Sequence, residues 1–181
     1  MRFIETEIPG AYIIDIEPRV DDRGFFARTF CTQEFAEHGL VTTFLQANTS
    51  FNHRRGTLRG MHWQDEPAPE AKLVRCVAGA IVDVLVDMRP ESPTYLRHLA
   101  VELSAANRRQ LLIPERCAAG YQTLEDATEV SYLVSAVSTP EAERGMRHDD
   151  PALGIAWPLP VTEISEKDAA WPLLAAGATA R

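Results

Sequence analysis

Cysteine and histidine are both scarce in this 181-residue chain, and each scarcity excludes a class of site. The three cysteines, Cys31, Cys76 and Cys117, are odd in number and unrelated in spacing. They compose neither a disulfide framework nor a zinc pattern, and a reducing cytoplasm suits them. The five histidines, His38, His53, His62, His98 and His148, include no His-x-His pair. That argues against a transition-metal site of the clustered-histidine kind, so no metal is expected. Basic residues are outnumbered, 18 against 26 acidic ones, for a net charge of −8. Nucleic-acid-binding proteins usually carry a basic face, so no nucleic-acid partner is expected. A small anionic ligand stays compatible, because a pocket needs only a few local cations. No apolar run is long enough to cross a membrane, and "MRFIETEIPG" lacks the apolar core of a signal peptide, so no membrane partner is expected. Also missing are Gly-x-Ser-x-Gly, a P-loop and Gly-x-Gly-x-x-Gly, which weighs against serine hydrolases, nucleoside triphosphatases and dinucleotide enzymes. With no repeat, linker or low-complexity block, one domain over 1–181 is expected, its tail after Trp171 loosely held.

What is present is a series of short strands punctuated by turns. "AYIIDI", "FFARTF" after the turn-prone "VDDRG", "VTTFLQANTSF", "LRHLAVEL", "QLLIP", "GYQTLE" and "TEVSYLVSAV" recur about every ten residues, a spacing that predicts an all-β sandwich or barrel. "AKLVRCV", "AG" and "AIVDVLVDM" read as a hairpin with glycine in its turn. Thr32 is placed to cap one short helix, "QEFAEH", which Gly39 would end. "TEISEKDAAW" reads as a loop or a short helix. In "EVSYLVSA" a period of two puts Tyr132 with Val130 and Val134, facing inward, where its hydroxyl needs a partner or a ligand.

The stretch "GTLRGMHWQ" sets Arg59 three residues before His62, with glycines on either side of the arginine. The plain reading is a turn running into a strand. The chemical reading is metal-free proton transfer, which asks for a base, an acid and a group that stabilises an oxyanion. His62 can be the base, Tyr132 the acid and Lys72 the cation, with Asp83 or Asp168 orienting the imidazole. A lone histidine beside glycines is more often structural than catalytic, so spacing alone leaves both readings open.

Read together and in order, "DDRGFFARTF", "QANTSFNHRRGTLRGMHWQ", "AKLVRCVAGAIVDVLVDMRPESPTY", "LLIPERCAAGYQTLED", "PEAERGMRHDDPALGIAWPL" and "ISEKD" resemble the dTDP-4-dehydrorhamnose 3,5-epimerase family, from about Arg23 to Asp168. The resemblance implies a cupin jelly-roll barrel with a few short helices. It also implies a homodimer in which an N-terminal segment of each subunit joins the sheet and site of the other. The substrate it implies is a nucleotide-linked 4-keto-6-deoxyhexose, epimerised at C3, C5 or both without a cofactor. His62 matches the base, Asp168 its carboxylate partner, Tyr132 the acid on the opposite face and Lys72 the cation near the ketone oxygen. Arg59 matches a diphosphate contact. Arg23, Phe26, Gln46 and Asn48 match positions that hold the nucleotide, the first two reaching in from the partner subunit.

Two positions depart from that pattern. Ala119, in "CAAGY", stands where the family usually carries a histidine. Arg28 stands where a glutamate that meets the base is common; arginine offers only donors, so a base other than thymine is an open expectation. The competing readings are a single-centre epimerase or ketoisomerase on a different nucleotide sugar, and a sugar-binding cupin without activity. Retention of His62, Lys72, Tyr132 and Asp168 together opposes the last, since binding alone needs no acid and base.

Overall fold

A computed structural model describes residues 1–174. In chain order its strands are β1 (Arg2–Glu5), β2 (Tyr12–Asp15), β3 (Arg19–Asp21), β4 (Gly24–Phe26), β5 (Gln46–Asn52), β6 (Leu58–Gln64), β7 (Lys72–Ala78), β8 (Ala80–Asp87), β9 (His98–Ser104), β10 (Gln110–Ile113), β11 (Cys117–Thr123), β12 (Thr128–Val134) and β13 (Glu143–Gly145). Two short helices, α1 (Thr32–Glu37) and α2 (Glu166–Ala169), complete the elements.

The strands form a cupin jelly roll of two facing antiparallel sheets. The first has the order β1-β2-β10-β7-β12-β5, the second β13-β6-β11-β8-β9, and β3 and β4 form a separate two-stranded ribbon. The expected all-β class is therefore observed. Between the sheets lies a core of Val74, Ile81, Leu85, Val101, Leu103, Leu111, Ile113 and Val130, each at most 5 % exposed. Full burial of each such side chain contributes roughly 1.5–3 kcal/mol.

Period-two alternation explains which faces meet. Ile81 and Leu85 of β8 join the inner core, while Val84 and Val86 point outward. That outer face is covered by Met146, Leu153 and Trp157. On the other sheet, Leu73 and Leu112 point outward beneath Phe35 of α1. Central strands are thus buried on both sides, which is why "AIVDVLVDM" reads as a nearly continuous apolar run. The same alternation places Asp83, between Ile81 and Leu85, on the inner face.

Some expectations are corrected. Residues 71–88 are not a hairpin: β7 pairs with β10 and β12, whereas β8 pairs with β11 and β9. Between them the chain turns the corner from one sheet to the other at Gly79, whose φ is +73°. A Cβ there would lie 2.3 Å from Thr128 Oγ1, so only glycine fits the corner. The N-cap is Cys31, without a side-chain cap, and Thr32 is the first helical residue. Gly39 does end α1, its N–H donating to the Ala36 carbonyl with φ at +67°. Of "FFARTF" only Phe25 and Phe26 are strand. β1, β3 and β13 escaped the sequence reading, β3 running into the turn-prone "VDDRG", because three- and four-residue strands carry too little periodicity. The call of a loose tail after Trp171 falls largely on residues 175–181, outside the described residues.

Candidate active site

β6 positions Arg59 and His62, and a local irregularity puts both on one face. Across the pair with β11, Ala119 faces His62 and Tyr121 faces Arg59. Between those pairs one residue on β11, Gly120, opposes two on β6, Gly60 and Met61, which is a β-bulge. The bulge restores Arg59 and His62 to a common side despite their odd spacing, while Met61 between them is buried in the outer cluster. Close packing at this point requires glycine. Gly60 has φ +117°, and a Cβ on it would lie 2.5 Å from Gly120 Cα and 2.7 Å from the Ala119 carbonyl oxygen. We expect Gly60→Ala to destabilise the fold by about 3 kcal/mol or more, combining a strained φ with backbone overlap. Urea unfolding measures this, and an unchanged midpoint would contradict the close approach.

His62 Nε2 lies 2.6 Å from Asp168 Oδ1. The second carboxylate oxygen of Asp168 accepts the Gly60 N–H at 3.1 Å. Ser165 caps α2 by accepting the Asp168 N–H at 3.0 Å, so the helix start holds the carboxylate in place. Burial would raise the Asp168 pKa, but the hydrogen bond and charge of His62 and the Gly60 N–H outweigh it and hold the carboxyl below its ordinary value. An ionised Asp168 accepts a hydrogen bond from Nε2–H, which keeps that proton on Nε2 and leaves the lone pair on Nδ1. The Trp171 ring stands edge-on to the imidazole, 6.3 Å between centroids. It occupies a slot that Gly145, the β13 partner of His62, leaves open.

His62 and Asp168 line a cavity of about 510 Å³ between the two sheets, with Arg59, Lys72, Asp83 and Tyr132. His62 and Arg59 come from the second sheet; Lys72 and Tyr132 come from the first, on the facing wall. Tyr132 packs against the inner core as the alternation predicts, and its hydroxyl has no protein hydrogen-bond partner among the described residues. Burial and the nearby Glu70 raise its pKa, with Arg59 opposing. Lys72 Nζ is 2.8 Å from Glu70 Oε1. Arg59 Nε donates to Asn52 Oδ1 at 2.8 Å. A second hollow of about 280 Å³ shares His62, Lys72 and Tyr132 and extends to Gln46 and Asn48.

The structure therefore gathers His62, Asp168, Tyr132, Lys72, Arg59, Gln46 and Asn48, and it makes Asp168, not Asp83, the imidazole partner. Arg23, Phe26 and Arg28 lie away from this cavity in their own chain. Arg23 pairs with Asp21 at 2.6 Å on the β3–β4 ribbon, where Phe26 is 69 % exposed. Arg28 bonds Glu34 at 2.8 Å, and Glu34 also holds the N-terminal ammonium. The arginine that departs from the family pattern is thus engaged by a surface acid and makes no contact with the cavity of its own chain.

Several residues escaped the sequence reading. Glu70 lies two positions before Lys72, a spacing that signals a common face. Lys167, which reaches Glu143 at 2.6 Å, adjoins Asp168 in "SEKD". Both partners of that bridge fall inside the motifs that carry the resemblance, "PEAERGMRHDDPALGIAWPL" and "ISEKD". Tyr121 and Asn52, bonded at 3.2 Å behind Arg59, carried no signal before the strands were paired.

Comparison with known proteins adds an independent line. A family model described as dTDP-4-dehydrorhamnose 3,5-epimerase matches residues 5–176. The dTDP-4-dehydrorhamnose 3,5-epimerase of Methanothermobacter thermautotrophicus is 45 % identical over 173 residues, covering 94 % of this chain and 92 % of that one. The crystal structure of the Bacillus anthracis enzyme of that name, with TDP and PPi bound, superposes with a TM-score of 0.92 at 37 % identity, covering 96 % and 99 % of the two chains. The Legionella pneumophila dTDP-6-deoxy-D-glucose-3,5-epimerase, in complex with dTDP-4-keto-L-rhamnose, superposes with a TM-score of 0.88 at 37 % identity, covering 95 % and 92 %. Agreement of this extent, over the strands that build the cavity as well as those that merely frame it, means that the chain belongs to the dTDP-4-dehydrorhamnose 3,5-epimerase family.

Proposed function

We propose that the protein epimerises a dTDP-linked 4-keto-6-deoxyhexose at both carbons next to the ketone, with His62 as base and Tyr132 as acid. One observation carries this reading: the His62–Asp168 pair and the Tyr132 hydroxyl line facing walls of one cavity large enough for a hexose. Inversion needs a proton removed from one face of a carbon and returned to the other, and facing walls supply that. The proton α to the ketone leaves for His62 Nδ1. Asp168 stabilises the imidazolium that results. The electron pair moves onto the ketone oxygen, where the Lys72 ammonium meets the developing charge. Tyr132 then gives its proton to carbon from the opposite wall, and exchange with water takes the proton from His62 and returns one to the Tyr132 phenolate before the second carbon reacts. This sequence asks for no cofactor.

Arg59 is the diphosphate ligand, its guanidinium aimed by Asn52 and backed by Tyr121. Gln46 and Asn48 hold the nucleotide in the adjoining hollow. Arg23 and Phe26 act from a second copy of the chain: the ribbon that bears them exposes Val20, Phe25 and Phe26 at 79 %, 46 % and 69 %, an apolar arm that suits exchange in a homodimer. Arg28, at the foot of that arm, joins Arg23 and Phe26 as a nucleotide contact supplied by the second copy, and within its own chain it bonds Glu34. The three cysteines are free thiols, which supports a cytoplasmic setting. Among the described residues no helix is long and apolar enough to cross a membrane.

Incubation with dTDP-4-dehydro-6-deoxyglucose, followed by proton NMR, is expected to show the couplings of a sugar inverted at C3 and C5. An unchanged spectrum at high enzyme concentration would overturn the proposal. Inversion at one centre alone would restrict it to a single-centre epimerase.

A further inference from the structure

We propose that Asp83 sits in the cavity as a neutral carboxylic acid and that its O–H, beside the Lys72 ammonium, holds the ketone oxygen as it becomes an enolate. This inference rests on the epimerase reading and adds a second oxyanion donor to it. Asp83 is 2 % exposed and lies on the inner face of β8. It lines the cavity, yet its Oδ2 is buried without a hydrogen-bond partner among the described residues. A buried polar oxygen left unpaired is costly, and a ligand that pairs with it removes that cost.

The neighbours leave few other partners. The cross-strand neighbours of Asp83 are Val101 on β9 and Tyr121 on β11. The Tyr121 hydroxyl is already tied to Ser50 and Asn52. Ala119, further along β11 and opposite His62, offers the cavity no polar side-chain atom. From β7, Lys72 faces Asp83, and Glu70 holds Lys72. Arg59 and His62 on β6, Tyr132 on β12 and Asp168 on α2 complete the charged and titratable groups around the cavity.

Charge counting then decides the protonation state. Lys72 is shared with Glu70 before substrate arrives. An ionised Asp83 would set two carboxylates against that one ammonium, and the enolate would be a third anion at the same place. A protonated Asp83 removes one negative charge and supplies a donor where the charge develops. Burial pushes the Asp83 carboxyl up to about 8, with the Lys72 charge opposing. The acid is thus mostly neutral at pH 7, and the donor is lost as pH rises through about 8. The proton stays on Asp83 throughout; the C–H bond breaks toward His62, and its electron pair becomes the enolate.

The test uses the full chain and the purified 4-keto sugar nucleotide, with kcat and KM followed from pH 6 to 10. Asp83→Asn keeps a neutral donor, so it is expected to cost about tenfold in kcat and to lose the alkaline decline near pH 8. Asp83→Leu removes the donor and is expected to cost roughly 10²–10³-fold in kcat, with KM little changed. Equal loss in the two variants, both folded by circular dichroism, would show that the ionised carboxylate is what matters and would overturn the proposal. Carbon-13 NMR of the aspartate-labelled wild type, assigned against Asp83→Asn, needs neither activity nor a folded leucine variant. A carboxyl titrating near pH 8 supports the proposal; one ionised by pH 5 overturns it, whatever the substrate proves to be.

Discussion

His62→Ala is expected to lower turnover by about 10³-fold or more and to remove solvent exchange at the substrate carbons, with the fold intact. The structure gives the reason for both halves. His62 is the cavity group whose second nitrogen is fixed by a buried carboxylate, so its removal takes away the base. Its side chain is about a third exposed and faces the cavity, so its removal opens no void in the core. Deuterium uptake by the 4-keto sugar nucleotide in heavy water measures this directly. Exchange within tenfold of wild type would assign the base to another group. Asp168→Asn should fall between the two, because it keeps a side chain near Nε2 but no longer favours the imidazolium.

Tyr132→Phe is expected to separate exchange from inversion. It removes one hydroxyl that no group among the described residues holds, so packing against Val74 and Val130 should survive. His62 can still take the proton and return it to the face it came from. Deuterium should therefore enter with retained configuration while epimerisation falls by roughly 10²–10⁴-fold. Stereochemical analysis of the labelled sugar by NMR distinguishes the outcomes. Equal loss of exchange and inversion would make Tyr132 an enolate-stabilising or structural group and leave the opposite-face acid unassigned.

The sequence made some of this legible and concealed the rest for identifiable reasons. Alternation in "EVSYLVSA" correctly turned Tyr132 inward, because period two is enforced wherever a strand has a buried face. The same rule, applied blindly to "RGMH", would send Arg59 and His62 to opposite sides. The bulge that reunites them shows only when β6 and β11 are paired. Asp168 lies 106 residues from His62, and only the family resemblance singles it out over Asp83 as the imidazole partner. The glycine that follows "AKLVRCVA" signals a turn, but a hairpin turn and a corner between sheets both call for positive φ, and local sequence does not distinguish them. Arg23 and Phe26 are a different case: the resemblance implies that they reach in from the partner subunit, whereas nothing in their local sequence says so. Their place on an exposed ribbon, away from the cavity of their own chain, is information that only the fold holds.

The central claim is proton transfer at the two carbons flanking a ketone, run between facing walls. It is tested most directly by mapping deuterium in the product formed in heavy water by EDTA-treated enzyme. The account predicts deuterium at C3 and C5 and at no other sugar carbon. Inverted product that carries solvent deuterium at neither carbon would contradict it, because inversion would then proceed without releasing the proton to His62 and taking another from Tyr132.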